Sequence, residues 1–302
     1  MFKSKNSMSR ALVRRETTAG YLFLLPSLFF FVTFVLYPMF LCIYTSFFDS
    51  NMGKNAVDVF VGLGNYKELF RDKLFLGALK NTVVIVVVAV PMVCAFSLWV
   101  ATAIYDMKPA LTSAFRCIFY LPVVTGSVAV TVVWKWMYNS RYGVFNYLFK
   151  SLGIIDQNIN WLGDARFALW CIILILFTTS VGQPIVLYVS ALGNVDHSLV
   201  EAAQVDGANR RQVFWKIKWA QIMPTTLYIL IITTINSFQC FALIQLLTSG
   251  GPTHSTDTIM YYIYYTAFKL YRYGYGNAMG VVLMIIIAVL SAVQFKLGQQ
   301  SD

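Results

Sequence analysis

A chain of 302 residues that is 58% apolar and only 12% charged lacks the polar surface of a soluble globule, in which roughly a quarter of residues are charged. The formal charge of +10 invites a nucleic-acid reading. That reading is excluded because the basic residues flank apolar blocks, as helix-end anchors do at lipid headgroups, and no segment between blocks is large enough to be a nucleic-acid-binding domain. The five cysteines lie within or at the edges of these blocks and read as small buried residues, while two histidines are too few for a metal site.

The N-terminal tail, residues 1–16, carries Lys3, Lys5, Arg10, Arg14 and Arg15 against Glu16. Such a basic run ahead of an apolar block holds the N-terminus in the cytoplasm. The first block, residues 17–48, is too long for a signal-peptide core and has no small-residue cleavage site, so it reads as a retained helix. Further charge-poor blocks cover 82–105, 117–134, 167–195, 219–256 (with 223–247 immersed) and 273–295. About 20 apolar residues cross the hydrocarbon as helix, and the third block is close to the lower limit. The prediction is an all-α membrane protein of six transmembrane helices with both termini cytoplasmic. A β-barrel is excluded, because its strands would alternate over about 10 residues. Lys135, near the outer end of the third block, reads as snorkelling to the headgroups.

This topology leaves three external loops, 49–81, 137–166 and 248–272. The last opens on the turn signal Gly250-Gly251-Pro252 and contains a Tyr-rich stretch suited to the membrane interface. The tail 296–302 is cytoplasmic, as is the long loop 196–222. There Ser198, followed three residues later by Glu201, has capping-box spacing. Ala202 and Ala203 offer a small surface for close contact, and Asp206-Gly207 is a strong turn pair before Ala208. From residue type alone this is either a compact helical knob or an ordinary connecting loop.

Two polar patches interrupt the spans. On a helical wheel of the fifth span, Thr233, Asn236, Ser237 and Cys240 share a face, with Gln239 at its margin. In the fourth span, Thr178, Thr179, Ser180, Gly182, Gln183 and Pro184 break the apolar run near mid-depth. Such groups either line a substrate pathway, where hydroxyls and amides suit a neutral polyol, or serve as interhelical hydrogen bonds and a hinge.

The segment Glu201-Ala202-Ala203, Asp206-Gly207-Ala208, Phe214, Ile217 and Pro224 resembles the cytoplasmic signature loop of permease subunits of ATP-binding-cassette importers, specifically the maltose-type carbohydrate branch. Leu24-Leu25-Pro26, Tyr37-Pro38, Val61-Gly62-Leu63-Gly64-Asn65-Tyr66, Leu121-Pro122, Trp134, Gly143, Asn146, Trp161-Leu162, Gly250-Gly251-Pro252, Ala267-Phe268 and Gly274-Tyr275 extend the resemblance over nearly the whole chain. It departs where relatives often carry proline (Asp196 and Ala220) or tryptophan (Thr178), and loss of the prolines is expected to loosen the loop's joints.

The resemblance implies a type I importer permease fold, a transmembrane domain over 17–295, and a bacterial cytoplasmic membrane location. It also implies coupling to ATPase subunits through Glu201, Ala202, Ala203, Asp206, Gly207 and Ala208. Expected partners are a second, different permease, two ATPase subunits, an extracytoplasmic sugar-binding protein and the lipid bilayer, with a sugar as substrate. ATP and Mg would be held by the ATPases; no Gly-x-x-x-x-Gly-Lys-Ser/Thr phosphate loop occurs in this chain. Another polyol or an acidic sugar is the alternative cargo. A secondary transporter, which would carry buried ionisable groups for ion coupling, is the weaker alternative class, and a membrane enzyme lacks clustered catalytic residues.

Overall fold

The structure, a computed structural model, describes residues 3–50 and 58–299, except for the side chains of 3–12, 15 and 299. The basic residues Lys3, Lys5, Arg10 and Arg15, and the tip of the first external loop, lie outside that description. The first helix runs as α1 (Lys3–Phe31), a π turn (Val32–Leu36) and α2 (Tyr37–Thr45). The wider turn precedes Pro38, whose missing N–H cannot bond the carbonyl one turn back. From Glu16 through Val35 every described side chain is exposed, so the apolar surface of this helix finds no cover within the chain. A two-residue hairpin, β1 (Phe48–Asp49) with β2 (Val59–Phe60), then leads to α3 (Gly64–Leu69).

The bundle is built on α4 (Lys73–Tyr105), α9 (Gly182–Gly193) and α12 (Trp219–Phe238). Val93, Val100, Ile104, Ile185, Tyr188, Leu192, Ile222 and Ile229 form its main core. Between α4 and α9 lie α5 (Pro109–Val124), α6 (Ser127–Met137), α7 (Val144–Ser151) and α8 (Ala168–Ser180).

The third block is not the straight span expected. α5 and α6 meet at 96°, because Thr125 and Gly126 adopt extended backbone with ψ of 126° and 142°. The fourth span bends by 40° between α8 and α9, at the polar patch. The carbonyl of Val181 at this bend accepts a hydrogen bond from Ser97 Oγ at 3.2 Å. Gly182 is required there: a Cβ would come within 2.3 Å of the Phe119 carbonyl oxygen. Among the described residues, four helices are long and apolar enough to cross a membrane, or up to six when each bent pair counts as one.

The loop 196–222 contains α10 (His197–Val205) and α11 (Arg210–Val213), followed by a π turn (Phe214–Lys218) into α12. Beyond α12 come α13 (Ala242–Leu247), α14 (Ile259–Tyr264) and α15 (Tyr273–Gln299). The Tyr-rich stretch is only partly interfacial: Tyr261, Tyr262 and Tyr275 are buried, whereas Tyr271 is exposed.

Tyr262 and Tyr275 close a clasp at the N-terminal end of α4. Asp72 caps α4 through the Leu74 N–H, and its Oδ2 accepts the Tyr262 and Tyr275 hydroxyls at 2.7 and 2.9 Å. Arg272 pairs with Glu68 through two bonds of 2.8 Å and lies 4.6 Å over the Tyr275 ring. Burial alone would raise the Asp72 pKa, but the tyrosine and backbone bonds outweigh it and hold the carboxyl below its ordinary value. The clasp is therefore complete above the ordinary carboxylate pKa of about 4 and is lost as pH falls through the lower folded value. Asp72→Asn keeps a capping side chain, so its effect isolates the clasp. It is expected to cost about 1–3 kcal/mol at neutral pH, and thermal unfolding should show the gap to wild type closing in acid.

Candidate functional site

The bend between α8 and α9 faces α12 across a cavity of about 160 Å³, whose polar lining is Thr179, Ser180, Gln183, Tyr228, Thr233 and Asn236. On α12 the lining runs Tyr228, Ile229, Ile232, Thr233 and Asn236, an i, i+1, i+4, i+5, i+8 face of one helix. Gln183 and Asn236 are exposed and Thr233 is buried, so the amides stand at the open side and the hydroxyl at the wall. No Asp, Glu, Lys, Arg or His lines the cavity. The arrangement offers hydroxyl and amide donors and acceptors beside one aromatic ring, and nothing for proton or metal chemistry. Among the described residues no group of three His, Cys, Asp or Glu could hold a metal.

Of the predicted pathway residues, the cavity gathers Gln183, Thr233 and Asn236 but not Ser237, Gln239 or Cys240. The wheel fails beyond Phe238, because α12 ends there and Gln239 takes a non-helical conformation with ψ 15°. Gln239 is exposed past the helix end, while Ser237 and Cys240 are buried. The Cys240 carbonyl accepts the Thr258 hydroxyl at 2.7 Å, which anchors the outer loop to the break. Tyr228 was missed; its i, i+4, i+8 spacing with Ile232 and Asn236 is the signal that would have found it. A cavity of this size is below the roughly 300–1,000 Å³ of a complete small-molecule site.

In the loop 196–222 the expected Ser198–Glu201 capping box is replaced. Asp196 is the N-cap: its Oδ1 accepts the Ser198 N–H at 2.9 Å and the Ser198 hydroxyl at 2.7 Å. These bonds hold the Asp196 carboxyl below its ordinary pKa. The Asp196 N–H also donates to Gln221 Oε1 at 2.9 Å, tying the start of the loop to α12. A proline could not make that bond, so the departure at Asp196 adds a tie where loosening was expected. No comparable bond involves Ala220, which is exposed on α12.

Gly207 ends α10 with φ +81°. The Gly207 N–H bonds the Gln204 carbonyl at 3.1 Å and the Ala208 N–H bonds the Ala203 carbonyl at 2.9 Å, the double closure of a Schellman motif. Asn209 and Gln212 then form a reciprocal capping box on α11, which the sequence reading overlooked. α10 stands off the bundle, with Glu201, Ala202 and Asp206 exposed alongside Leu199 at 50% and Val205 at 88%. Ala203 and Ala208 are half-buried beneath it. An open cavity of about 680 Å³ separates the loop from the C-terminal ends of α4 and α9. The result is a short helix capped at both ends, tied to α12 at its start, with the apolar Leu199 and Val205 exposed.

Residues 21–299 match the family described as binding-protein-dependent transport system inner membrane components. The chain is 33% identical to the probable ABC transporter permease protein YesP of Bacillus subtilis, with 94% of this chain and 91% of that protein covered. It is 32% identical to the lactose transport system permease protein LacF of Rhizobium radiobacter, over 94% and 95% of the two chains. A chain in the crystal structure of a bacterial ABC transporter involved in import of the acidic polysaccharide alginate superposes with a TM-score of 0.79. That likeness covers 97% and 99% of the two chains at 23% identity and shows the fold. The chain therefore belongs to the binding-protein-dependent transport family as an inner membrane component.

Proposed function

We propose that this chain is one of two different permease subunits of an ATP-driven sugar importer, with a sugar or oligosaccharide as cargo. The observation that carries this reading is the uncharged half-site at the bend of the fourth span, lined by Gln183, Tyr228, Thr233 and Asn236. Its amides and hydroxyls match a polyol, and its incomplete wall calls for a second permease opposite. An extracytoplasmic binding protein delivers the sugar. Two ATPase subunits, which hold ATP and Mg, dock on α10 through Glu201, Ala202, Ala203, Asp206, Gly207 and Ala208. Names of relatives, including lactose and multiple-sugar permeases, support a carbohydrate cargo. A neutral sugar is favoured over an acidic one, because no basic side chain reaches the cavity.

The test is uptake of labelled neutral and acidic oligosaccharides by cells that express the chain with its partner subunits. Uptake restricted to acidic sugars would contradict the neutral reading. Docking from the cytoplasm also requires the loop 196–222 to face inward. In intact cells, a membrane-impermeant thiol reagent is expected to label a cysteine at Asn55 and to spare one at Asn209; the reverse pattern overturns the topology.

A further inference from the structure

The segment after α6 is organised around a feature that transport does not use. Asn146, buried inside α7, makes four hydrogen bonds: its Nδ2 donates to the Ser140 and Ile159 carbonyls at 3.1 and 2.9 Å, and its Oδ1 accepts from the Ile159 N–H and Trp161 Nε1 at 3.1 and 3.0 Å. Phe145 on the same face stacks on Tyr138 at 4.9 Å, and Phe149 packs on Trp161 at 5.6 Å. Tyr138 in turn donates to the Cys171 carbonyl at 3.4 Å, one turn inside the outer end of α8. Trp161 packs on Phe167 at 5.7 Å, beside the exposed Asp164–Arg166 ion pair that marks the water side of α8. α7 is thereby fixed at the depth where α8 enters the apolar layer.

Its opposite face is also apolar. Val144, Tyr147 (76% exposed) and Leu148, then Leu152 and Ile154, point away from the chain. Upstream on α6, Val128, Val132 and Val133 are exposed in the same way, so this surface continues that of a helix in the membrane. The basic residues here are Lys135, Arg141 and Lys150, and no Asp or Glu occurs from 127 to 155. Arg141 and Lys150 border a cavity of about 380 Å³ together with Tyr142, Tyr147 and Asn158, and neither has an acidic partner among the described residues. A short helix with an apolar outward face, basic edges and tyrosines at one depth has the composition of an interfacial element.

We propose that α7 lies in the headgroup layer of the outer leaflet, with the cavity between Arg141 and Lys150 holding the phosphate of an anionic phospholipid. This rests on the membrane location that the family shows and on the proposed orientation of the chain, and not on the identity of the cargo. The test uses the full complex in nanodiscs of phosphatidylcholine with phosphatidylglycerol, with a nitroxide on Leu148→Cys and the labelled parent as the reference for native thiols. The label is expected to be relaxed more by oxygen than by a water-soluble nickel chelate, at a depth of about 5–10 Å below the phosphates. In native mass spectrometry, Arg141→Gln with Lys150→Gln is expected to lower retained phosphatidylglycerol relative to phosphatidylcholine by about tenfold or more. A nickel-accessible label, a label shielded from both reagents by a protein partner, or unchanged lipid retention in the double variant overturns the proposal.

Discussion

Gly207→Val is expected to lower sugar-stimulated ATP hydrolysis of the reconstituted complex by roughly 5–30-fold, whereas Glu201→Gln should lower it by no more than about fivefold. The difference follows from geometry. Gly207 sits at φ +81°, a region that costs an L-residue about 1–2 kcal/mol and a β-branched one more. No atom of the chain lies within 4 Å of a Cβ built there, so valine can be accommodated without disturbing the bundle. The strain instead falls on the Schellman closure that fixes the direction of α10 relative to α11. Glu201 makes none of the capping bonds, since Asp196 holds that role, and an exposed charge pair with a partner is worth about 0–1 kcal/mol. Both variants should leave the binding protein's affinity for sugar unchanged. Normal stimulation in Gly207→Val with the ATPase still bound would remove α10 from the coupling path.

The second large effect concerns Asn236. Asn236→Leu replaces the exposed amide at the mouth of the half-site with an apolar group of similar volume, and uptake is expected to fall about tenfold or more. The cavity's few polar partners would otherwise be left facing a sugar hydroxyl unpaired, at about 1–3 kcal/mol. Because the Asn236 side chain makes no hydrogen bond among the described residues, assembly and basal ATP hydrolysis should stay near the parent's. Ser237→Ala is the internal comparison: its side chain is buried away from the cavity and should leave uptake nearly unchanged. Equal loss in the two variants, or collapse of assembly with Asn236→Leu, would identify the stripe as helix packing.

The parts of this architecture that were legible in the sequence are those set by local chemistry. Apolar runs located the spans, and Asp206-Gly207 announced a turn that the structure places at positive φ. The bend at Gly182 and Pro184 followed from residues that weaken a helix. The 96° corner at Thr125–Gly126 was not legible, since hydropathy over a block carries no information about direction. The wheel misassigned Cys240 because it assumed that α12 continued past Phe238, whereas Thr258, 18 residues later, captures the carbonyl at the break. The cap at Asp196 was overlooked in favour of Ser198, although Asp is as good a cap and its N–H finds Gln221 only in the folded bundle. Asn146 shows the same limit: a polar residue between Phe145 and Tyr147 gains its meaning from carbonyls at 140 and 159.

In the proposed function, the cavity at the bend binds part of the cargo and the projecting α10 couples the subunit to ATP hydrolysis. Sugar accumulation should therefore be measured in proteoliposomes that contain the chain, its permease partner and the ATPases, with the binding protein on the outside. Accumulation is predicted to require ATP within the vesicles and to persist when proton and sodium gradients are collapsed by ionophores. Accumulation driven by an ion gradient in the absence of ATP would contradict the account.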